Sequence, residues 1–278
     1  MIRLLLSLSV IFILGCWISL GESMERFSVD KNEPLLLSAH AYRAALPAAA
    51  YDINRLVASA QQAGFSIRLY DGKTLSYYQG TTLCTSCTVA QDREFMSRVP
   101  ALYVDGGLFL LRIVTPLYRY TVRPSPTDIG QYEIAIQPMS NIGGFTATTE
   151  ILQKLVELDV ISTTAIQVTL EEMTVLPGTK LPKVPDGIKL DSALYGLSLM
   201  PDWHEFASTQ QIDMWGLRVR TVIELNSATA ELSQAYNIII EARSSSGLVR
   251  ALIPVHSLSE VARDPAIKII RPQFIPRG

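Results

Sequence analysis

Apolar and polar residues alternate with a period of two over 65–70, 118–122 and 132–136, which predicts half-buried β-strands there. Further strands are predicted at 75–78, 101–104, 108–114 and 165–170. Asp-Gly pairs at 71–72 and 105–106 predict hairpin turns between neighbouring strands. Two segments instead repeat apolar residues every three or four positions, which predicts amphipathic helices over 46–63 and 149–158.

The C-terminal part has a plan of its own. The pattern predicts three strands, one short helix and a last strand, over 217–225, 236–243, 248–253, 257–263 and 267–270. Ser257 and Glu260 have the spacing of a capping box at the start of that helix. These elements predict a small α/β sandwich in which one face of the sheet is covered.

A boundary separates the two parts. Residues 176 to 187 contain three prolines and two glycines, which favour a linker because proline lacks a backbone N–H and glycine is conformationally free. We therefore expect a signal peptide at 1–15, an α+β domain at 22–175, a Pro- and Gly-rich linker at 176–194 and a small α/β interaction domain at 195–278. The expected fold class is α+β, with two small mixed domains built on mainly antiparallel sheets.

Composition excludes several classes of protein. Hydrophobic residues make up 48% of the 278 residues, and 24 Lys and Arg against 26 Asp and Glu leave a formal charge of −2. Such a chain is too apolar to be disordered. It also has no bulk positive charge with which to hold a nucleic acid, so we expect no nucleic-acid partner.

The N-terminus has the layout of a secretory signal peptide. Arg3 supplies a positive charge, and residues 4–14 form an uncharged apolar run. The run is shorter than the ~20 residues of a membrane-spanning helix, although its extension through Leu20 leaves an uncleaved anchor open. The residues before Cys16 resemble the bacterial lipobox, which implies lipidation of Cys16, whereas cleavage after Gly21 is the alternative. All three outcomes place the body of the protein outside the cytoplasm, in the periplasm or at the cell surface.

The remaining cysteines fit an oxidising compartment. Cys84 and Cys87 would be left to pair with each other after either cleavage, and a disulfide is the default outside the cytoplasm. The alternative is a thiol–disulfide exchange site, in which a helix beginning at Cys84 would lower the pKa of its thiol. Residues 98–106 resemble the segment that faces the cysteines in thioredoxin-like proteins, but they follow too soon after Cys87 for that fold. We therefore expect a structural disulfide.

Other polar residues do not converge on catalytic chemistry. Asp202, His204 and Glu205 lie together in the sequence, but adjacent residues on a helix diverge by about 100°. Asp202 is better interpreted as the N-cap of a short helix. The sequence also lacks a second cysteine pair for zinc, a nucleophile elbow and a P-loop. We expect no enzymatic activity, no metal and no cofactor.

Tyrosine is abundant, with 11 residues, most of them on predicted strands of the first domain. Alternation places Tyr118 and Tyr120 on the same face of their strand. If that face is exposed, the pair is a candidate binding surface, because aromatic rings bury a large area at low entropic cost. The alternative is ordinary packing in a β-rich core.

The last part of the chain resembles a known small domain. The matching positions are Gly247 to Pro254, Leu258, Val261-Ala262, Asp264-Pro265-Ala266-Ile267 and Ile269 to Pro272. They are similar to the end of the propeptide-like domain that precedes the catalytic domain of some exported subtilisin-like proteases, and the resemblance covers about 60 residues. It implies a ferredoxin-like module that docks on protein surfaces through its sheet, and it does not imply proteolysis.

Together these features predict an exported, lipid-anchored envelope protein with a structural or protein-binding role. Its expected partners are other envelope proteins or further copies of itself, and its N-terminal lipid or anchor would contact the membrane. A thiol–disulfide protein acting through Cys84 and Cys87 is the alternative. A protease-inhibitor or chaperone-like module, which rests on the C-terminal resemblance, is a second alternative.

Overall fold

A computed structural model describes residues 40–46, 52–85, 99–128, 130–139, 148–158, 160, 171–174 and 181–275. All of them belong to one compact unit, Leu35–Gly278. The predicted signal peptide with Cys16 and Gly21, the third cysteine Cys87, and the predicted strand at 165–170 lie outside the described residues.

The first sheet has nine strands. They are β1 (His40–Leu46), β2 (Ser66–Asp71), β3 (Thr74–Gln79), β4 (Thr82–Leu83), β5 (Ala101–Asp105), β6 (Leu108–Val114), β7 (Tyr118–Pro124), β8 (Tyr132–Pro138) and β9 (Glu171–Thr174). Their order across the sheet is β4-β3-β2-β5-β6-β7-β8-β1-β9. The β2–β5 pair is parallel and the others are antiparallel, so the sheet is mixed.

One face of the first sheet is apolar and lies against two helices, α1 (Ile53–Gln62) and α2 (Thr148–Glu157). Leu56 and Ala60 of α1 and Leu155 of α2 are buried in this layer. Alternate strand residues pack against them: Leu102, Val104, Phe109, Leu111, Ile113, Tyr118, Tyr120, Val122, Ile134 and Ile136. Side chains at positions i and i+2 of a strand share a face, so the remaining residues of these strands point to the opposite side.

The second sheet is antiparallel throughout. Its strands are β10 (Met214–Trp215), β11 (Arg218–Leu225), β12 (Ile239–Arg243), β13 (Leu248–Pro254) and β14 (Ile267–Pro272). The order is β10-β11-β13-β12, and β14 pairs with β11 beside β10. The four longer strands therefore have the order β14-β11-β13-β12. This is the strand order of a split β-α-β or ferredoxin-like sheet.

The two crossovers of this sheet differ from each other. The connection from β13 to β14 carries a short helix, α5 (Leu258–Val261), preceded by a 3-10 turn at Val255–Ser257. The connection from β11 to β12 carries one 3-10 turn, Gln234–Tyr236, where a ferredoxin-like module has a helix. That turn also explains why β12 begins at Ile239 and not at the predicted residue 236.

Two further helices, α3 (Ser192–Leu199) and α4 (Trp203–Gln210), lie in a core that both sheets share. They approach closely because Gly196 has no side chain; a Cβ there would lie 3.1 Å from Cζ of Phe206. The shared core contains inner-face residues of the second sheet, such as Ile223 and Ala251, together with Ala101, Tyr103 and Leu110 of the first sheet.

The α+β class with mainly antiparallel sheets is confirmed. The strands of the first sheet all precede residue 176, and those of the second all follow residue 194. Contacts nevertheless join residues 35–278 in a single compact unit. The domain boundary at 176–194 therefore stays a prediction.

Helix α1 begins at Ile53, seven residues later than predicted from residue 46. Leu46 instead ends β1, where it pairs with Tyr132 of β8. The helix start is fixed by Asp52, whose Oδ1 accepts hydrogen bonds from the backbone N–H groups of Asn54 and Arg55 at 3.1 and 3.2 Å.

Candidate binding face

Three arginines lie on the second face of the first sheet, opposite the face that packs on α1 and α2. The sequence pattern predicted that one face of these strands is buried, and did not predict that the second is buried as well. Arg112 lies on β6, and Arg119 and Arg123 lie on β7. All three are buried. They point away from α1 and α2 because their sequence neighbours, such as Leu111 and Tyr120, occupy the apolar face.

The three arginines hold one short segment, residues 200–205, at the start of α4. Arg112 Nε donates to Asp202 Oδ2 at 2.5 Å. Arg119 donates to Glu205, and Arg123 donates to the backbone carbonyl of Met200. The segment from 200 to 205 is thereby bound at three points by two neighbouring strands.

Polar partners within the sheet complete this buried layer. Arg123 also pairs with Glu133 of β8 at 2.6 Å, and its guanidinium carbon lies 5.3 Å from the ring centre of Trp203. Arg119 donates to Oε1 of Gln137 at 2.5 Å. Each buried cation thus has an acceptor, which offsets the large cost of removing a charge from water.

In this buried layer the carboxylate of Asp202 is charged and the imidazole of His204 is neutral. Burial alone would raise the pKa of Asp202, but the positive charges of Arg112 and Arg119 outweigh that effect and hold it well below its usual value. Burial lowers the pKa of His204 to about 3. Its ring stacks on Tyr103 with centroids 3.9 Å apart, so His204 is a neutral packing residue at neutral pH.

Asp202 is the N-cap of α4, as predicted. Its Oδ1 accepts a hydrogen bond from the backbone N–H of Glu205 at 3.0 Å, while its Oδ2 accepts one from Nε of Arg112. The carboxylates of Asp202 and Glu205 are therefore both engaged by arginines, and the contiguous Asp202, His204 and Glu205 serve packing and capping.

A second set of contacts joins the first sheet to the hairpin formed by β10 and β11. Asp105 at the end of β5 accepts from the backbone N–H of Leu217 at 3.1 Å and pairs with Arg218 at 3.3 Å. Trp215 Nε1 donates to the carbonyl of Gly72 at 2.7 Å. Gly216 is required between them, because a Cβ there would lie 2.6 Å from Asp105 Oδ2.

Tyr118 and Tyr120 are on the same face of β7, with ring centroids 5.9 Å apart. Both are buried in the apolar layer under α1 and α2. This is the core-packing alternative, so in this fold the pair offers no exposed binding surface.

Cys84 is half-buried just after β4. Its backbone N–H donates to the carbonyl of Tyr77 at 2.8 Å. Because Cys87 and Cys16 lie outside the described residues, the disulfide, its redox alternative and the lipidation stay predictions.

The outer face of the second sheet is an exposed regular surface with several charges. We use that name for Arg220, Val222, Glu224, Glu241, Leu248, Arg250, Ile269 and Arg271, together with Lys268 at the bulge of β14. The register places Val222 opposite Arg250 of β13 on one side and opposite Arg271 of β14 on the other. Directly opposed residues of antiparallel strands share a face, so the three form one row across the sheet.

Charges on the outer face are layered. The side chains of Arg250, Lys268 and Arg271 are 52%, 61% and 56% exposed, whereas those of Glu224 and Glu241 are 26% and 19% exposed. Each carboxylate serves two cations: Glu241 pairs with Arg220 and Arg250, and Glu224 pairs with Lys268 and Arg271. Solvent therefore meets cations first, above carboxylates that are already shared.

The described part of the chain contains no group of three or more His, Cys, Asp or Glu side chains arranged to hold a metal ion. Within the same residues, none of the helices has the length and apolar character needed to cross a bilayer.

Comparisons with protein families, curated proteins and solved structures give no match to this chain. The class that the described residues define is thus an α+β protein with two sheets, a shared core and a charged outer face.

Sequence reasoning missed the buried arginine layer. A weak signal existed in Asp202 and Glu205, which are three positions apart and so lie on one side of a helix. Two carboxylates on one side of a helix can pair with cations of a neighbouring element, and Arg112, Arg119 and Arg123 are arginines that lie between apolar residues on β6 and β7.

Proposed function

We propose that this chain is an exported, lipid-anchored envelope protein that binds another envelope protein through the outer face of its second sheet. The observation that carries the proposal is the difference between the two faces of that sheet. Its inner face lies in the core with α3 and α4, while its outer face exposes Arg250, Lys268 and Arg271.

Apolar side chains on the outer face support a binding role. Leu248 is 42% exposed, and Val222 and Ile269 are half-buried between the charged residues. Protein interfaces combine such apolar centres with polar surroundings and are enriched in arginine.

The buried arginine layer supports the same role in a different way. Arg112, Arg119 and Arg123 fix α4 on the first sheet, and Asp105 fixes the β10–β11 hairpin. These contacts hold the second sheet and its outer face on the first sheet. A surface that is already rigid loses little conformational entropy when it binds a partner.

Location is supported by the N-terminal sequence. Arg3 followed by an apolar run, with Cys16 after lipobox-like residues, is typical of a lipoprotein signal peptide. A lipid on Cys16 would hold the folded part beside the membrane, where partners in the envelope are concentrated.

Site-specific photo-crosslinking in the native envelope tests the binding role. A photoreactive residue replaces Leu248 on the outer face or, as the matched control, Leu181, which is 37% exposed and lies in the predicted linker. We expect a defined crosslinked species from position 248 and none from position 181. Equal crosslinking from both positions, or none from position 248, would remove the support for a docking role of this face.

A further inference from the structure

The row Arg250–Val222–Arg271 has a definite width. It crosses three neighbouring strands, β13, β11 and β14. Neighbouring strands are about 4.8 Å apart, so the backbones that carry the two arginines are separated by about 10 Å. Arg250 and Arg271 therefore flank the apolar side chain of Val222 on either side.

Both arginines keep hydrogen-bond donors for a further acceptor. Among the described residues, Arg250 contacts Glu241 through Nε at 3.2 Å, and Arg271 contacts Glu224 through Nη1 at 3.3 Å. A guanidinium carries five N–H donors and binds a carboxylate best through two of them. Since Glu241 also binds Arg220 and Glu224 also binds Lys268, these carboxylates do not saturate the arginines.

Cations outnumber carboxylates on this surface. Arg220, Arg250, Lys268 and Arg271 face Asp213, Glu224 and Glu241 across the ion pairs of the sheet. The surplus charge is positive and lies at the outermost level. A complementary partner must bring carboxylates and, to cover Val222, an apolar group between them.

From this geometry we propose that the outer face binds an acidic amphipathic helix of the partner protein. Two glutamates seven residues apart lie on one side of a helix and are separated by about 10.5 Å along its axis. They would reach Arg250 and Arg271 together, with an apolar residue at the intervening i+3 or i+4 position over Val222. This inference rests on the proposed function and specifies the chemistry of the partner.

Positive and negative side chains alternate on the outer face, which favours a protein as its partner over a membrane surface. Segments that bind anionic lipid are clusters of lysine and arginine with little acidic charge among them. Here Glu224 and Glu241 lie between the cations and would be repelled by a continuous layer of lipid phosphates. Discrete carboxylates can contact Arg250 and Arg271 and still avoid Glu224 and Glu241.

Peptide binding by the full chain in a neutral detergent tests the inference. The probe is a fluorescent helical peptide with Glu at i, Leu at i+4 and Glu at i+7. A second peptide of the same composition moves the second Glu to i+5, on another side of the helix. Fluorescence anisotropy at low salt should show at least tenfold weaker binding of the second peptide.

Paired variants assign the binding to the face. R250E/R271E should weaken binding of the first peptide at least tenfold, and the milder R250Q/R271Q should weaken it in the same direction without placing new carboxylates beside Glu224 and Glu241. The matched control is K183E/R263E, which makes the same change in net charge at two exposed positions off the outer face and should bind as the wild type does.

Three results would overturn the inference. They are equal binding of the two peptides, binding that survives both double variants, and recruitment of the chain to phosphatidylglycerol vesicles that depends on Arg250 and Arg271 while the peptide is ignored. A crosslink from position 248 in the envelope that persists alongside any of these results would keep the proposed function and reject only the acidic helix.

Discussion

Arg112 and Asp202 form an ion pair at 2.5 Å in which neither side chain is exposed. They are 90 positions apart in the sequence. One lies on β6 of the first sheet, and the other caps α4 in the core shared with the second sheet. Because Asp202 uses its second oxygen for the cap, this carboxylate both starts a helix and ties it to the sheet beneath.

The Arg112–Asp202 pair should contribute to stability mainly through the penalty for breaking it. Either Arg112→Met or Asp202→Asn alone should lower the free energy of unfolding by about 3 to 5 kcal/mol, because each removes from a buried charge the opposite charge of this ion pair. Asparagine keeps the capping oxygen, so D202N isolates the loss of charge. Urea titration of the unfolding transition provides the measurement.

The double variant R112M/D202N completes that cycle. It removes both charges, so it should be more stable than the sum of the single effects predicts, with a coupling of at least about 1 kcal/mol. Additive effects would show that the two side chains are not coupled, and single variants that each cost less than about 1 kcal/mol would show that the pair contributes little to stability.

Stability should fall as the pH is lowered from 7 to 5. Burial lowers the pKa of His204 to about 3, while the unfolded chain titrates near 6.5. As the pH falls below 6.5 the unfolded state therefore binds a proton that the folded state excludes, which favours unfolding. His256, with a pKa lowered to about 4 by burial, acts in the same direction.

His204→Phe provides the control for this pH effect. Phenylalanine can keep the stack on Tyr103 but does not titrate, so the stability lost between pH 7 and pH 5 should shrink by on the order of 1 kcal/mol. The lowered pKa of Asp202 matters only at still lower pH, where the same carboxyl group in the unfolded chain begins to bind a proton that the folded state excludes. A pH profile identical in wild type and H204F would contradict the account of His204.

The fold class could be predicted because alternation and turn chemistry are local. Six of the seven early strands predicted from alternation and turn signals coincide with β2, β3, β5, β6, β7 and β8 within two residues. The seventh, at 165–170, lies outside the described residues. The N-cap at Asp202 was also predictable, since it needs only the residues that follow it. These features depend on neighbours in the sequence.

What could not be predicted depends on residues far apart. Strand β1 escaped prediction, and so did α3, whose side chains are mostly buried and show no amphipathic period. Ser257 and Glu260 have capping-box spacing, yet Ser257 Oγ donates to the carbonyl of Pro254 at 3.0 Å and makes no cap bond. Whether the polar side of β6 and β7 meets water or α4 is decided by tertiary packing, which alternation does not encode.

Tyr120→Ala should destabilise the fold by about 3 to 5 kcal/mol, because it removes a buried ring from the layer under α1 and α2. Leu117→Ala, one residue before β7 at a side chain that is 47% exposed, is the control and should stay within about 0.5 kcal/mol of the wild type. Thermal or urea unfolding separates the two. A Y120A variant as stable as the wild type would contradict the burial of Tyr120 and would favour its interpretation as an exposed binding residue.

Gly216→Ala should be more harmful than Gly187→Ala. Both glycines have positive φ, +63° and +83°, so both substitutions carry the backbone penalty of about 1 kcal/mol for a left-handed alanine. A Cβ at Gly187 meets nothing within 4 Å, whereas one at Gly216 would lie 2.6 Å from Asp105 Oδ2. Unfolding free energies should therefore differ by at least 1 kcal/mol, and equal losses would argue against the Asp105 contact.

The central claim, that this fold works outside the cytoplasm while attached to a membrane, is tested most directly by intact-mass analysis of the protein purified separately from the membrane and cytosolic fractions of native cells. We expect a chain that begins at Cys16 and carries the added mass of a diacylglyceryl group. An unprocessed chain that begins at Met1 and is recovered from the cytosolic fraction would contradict the claim.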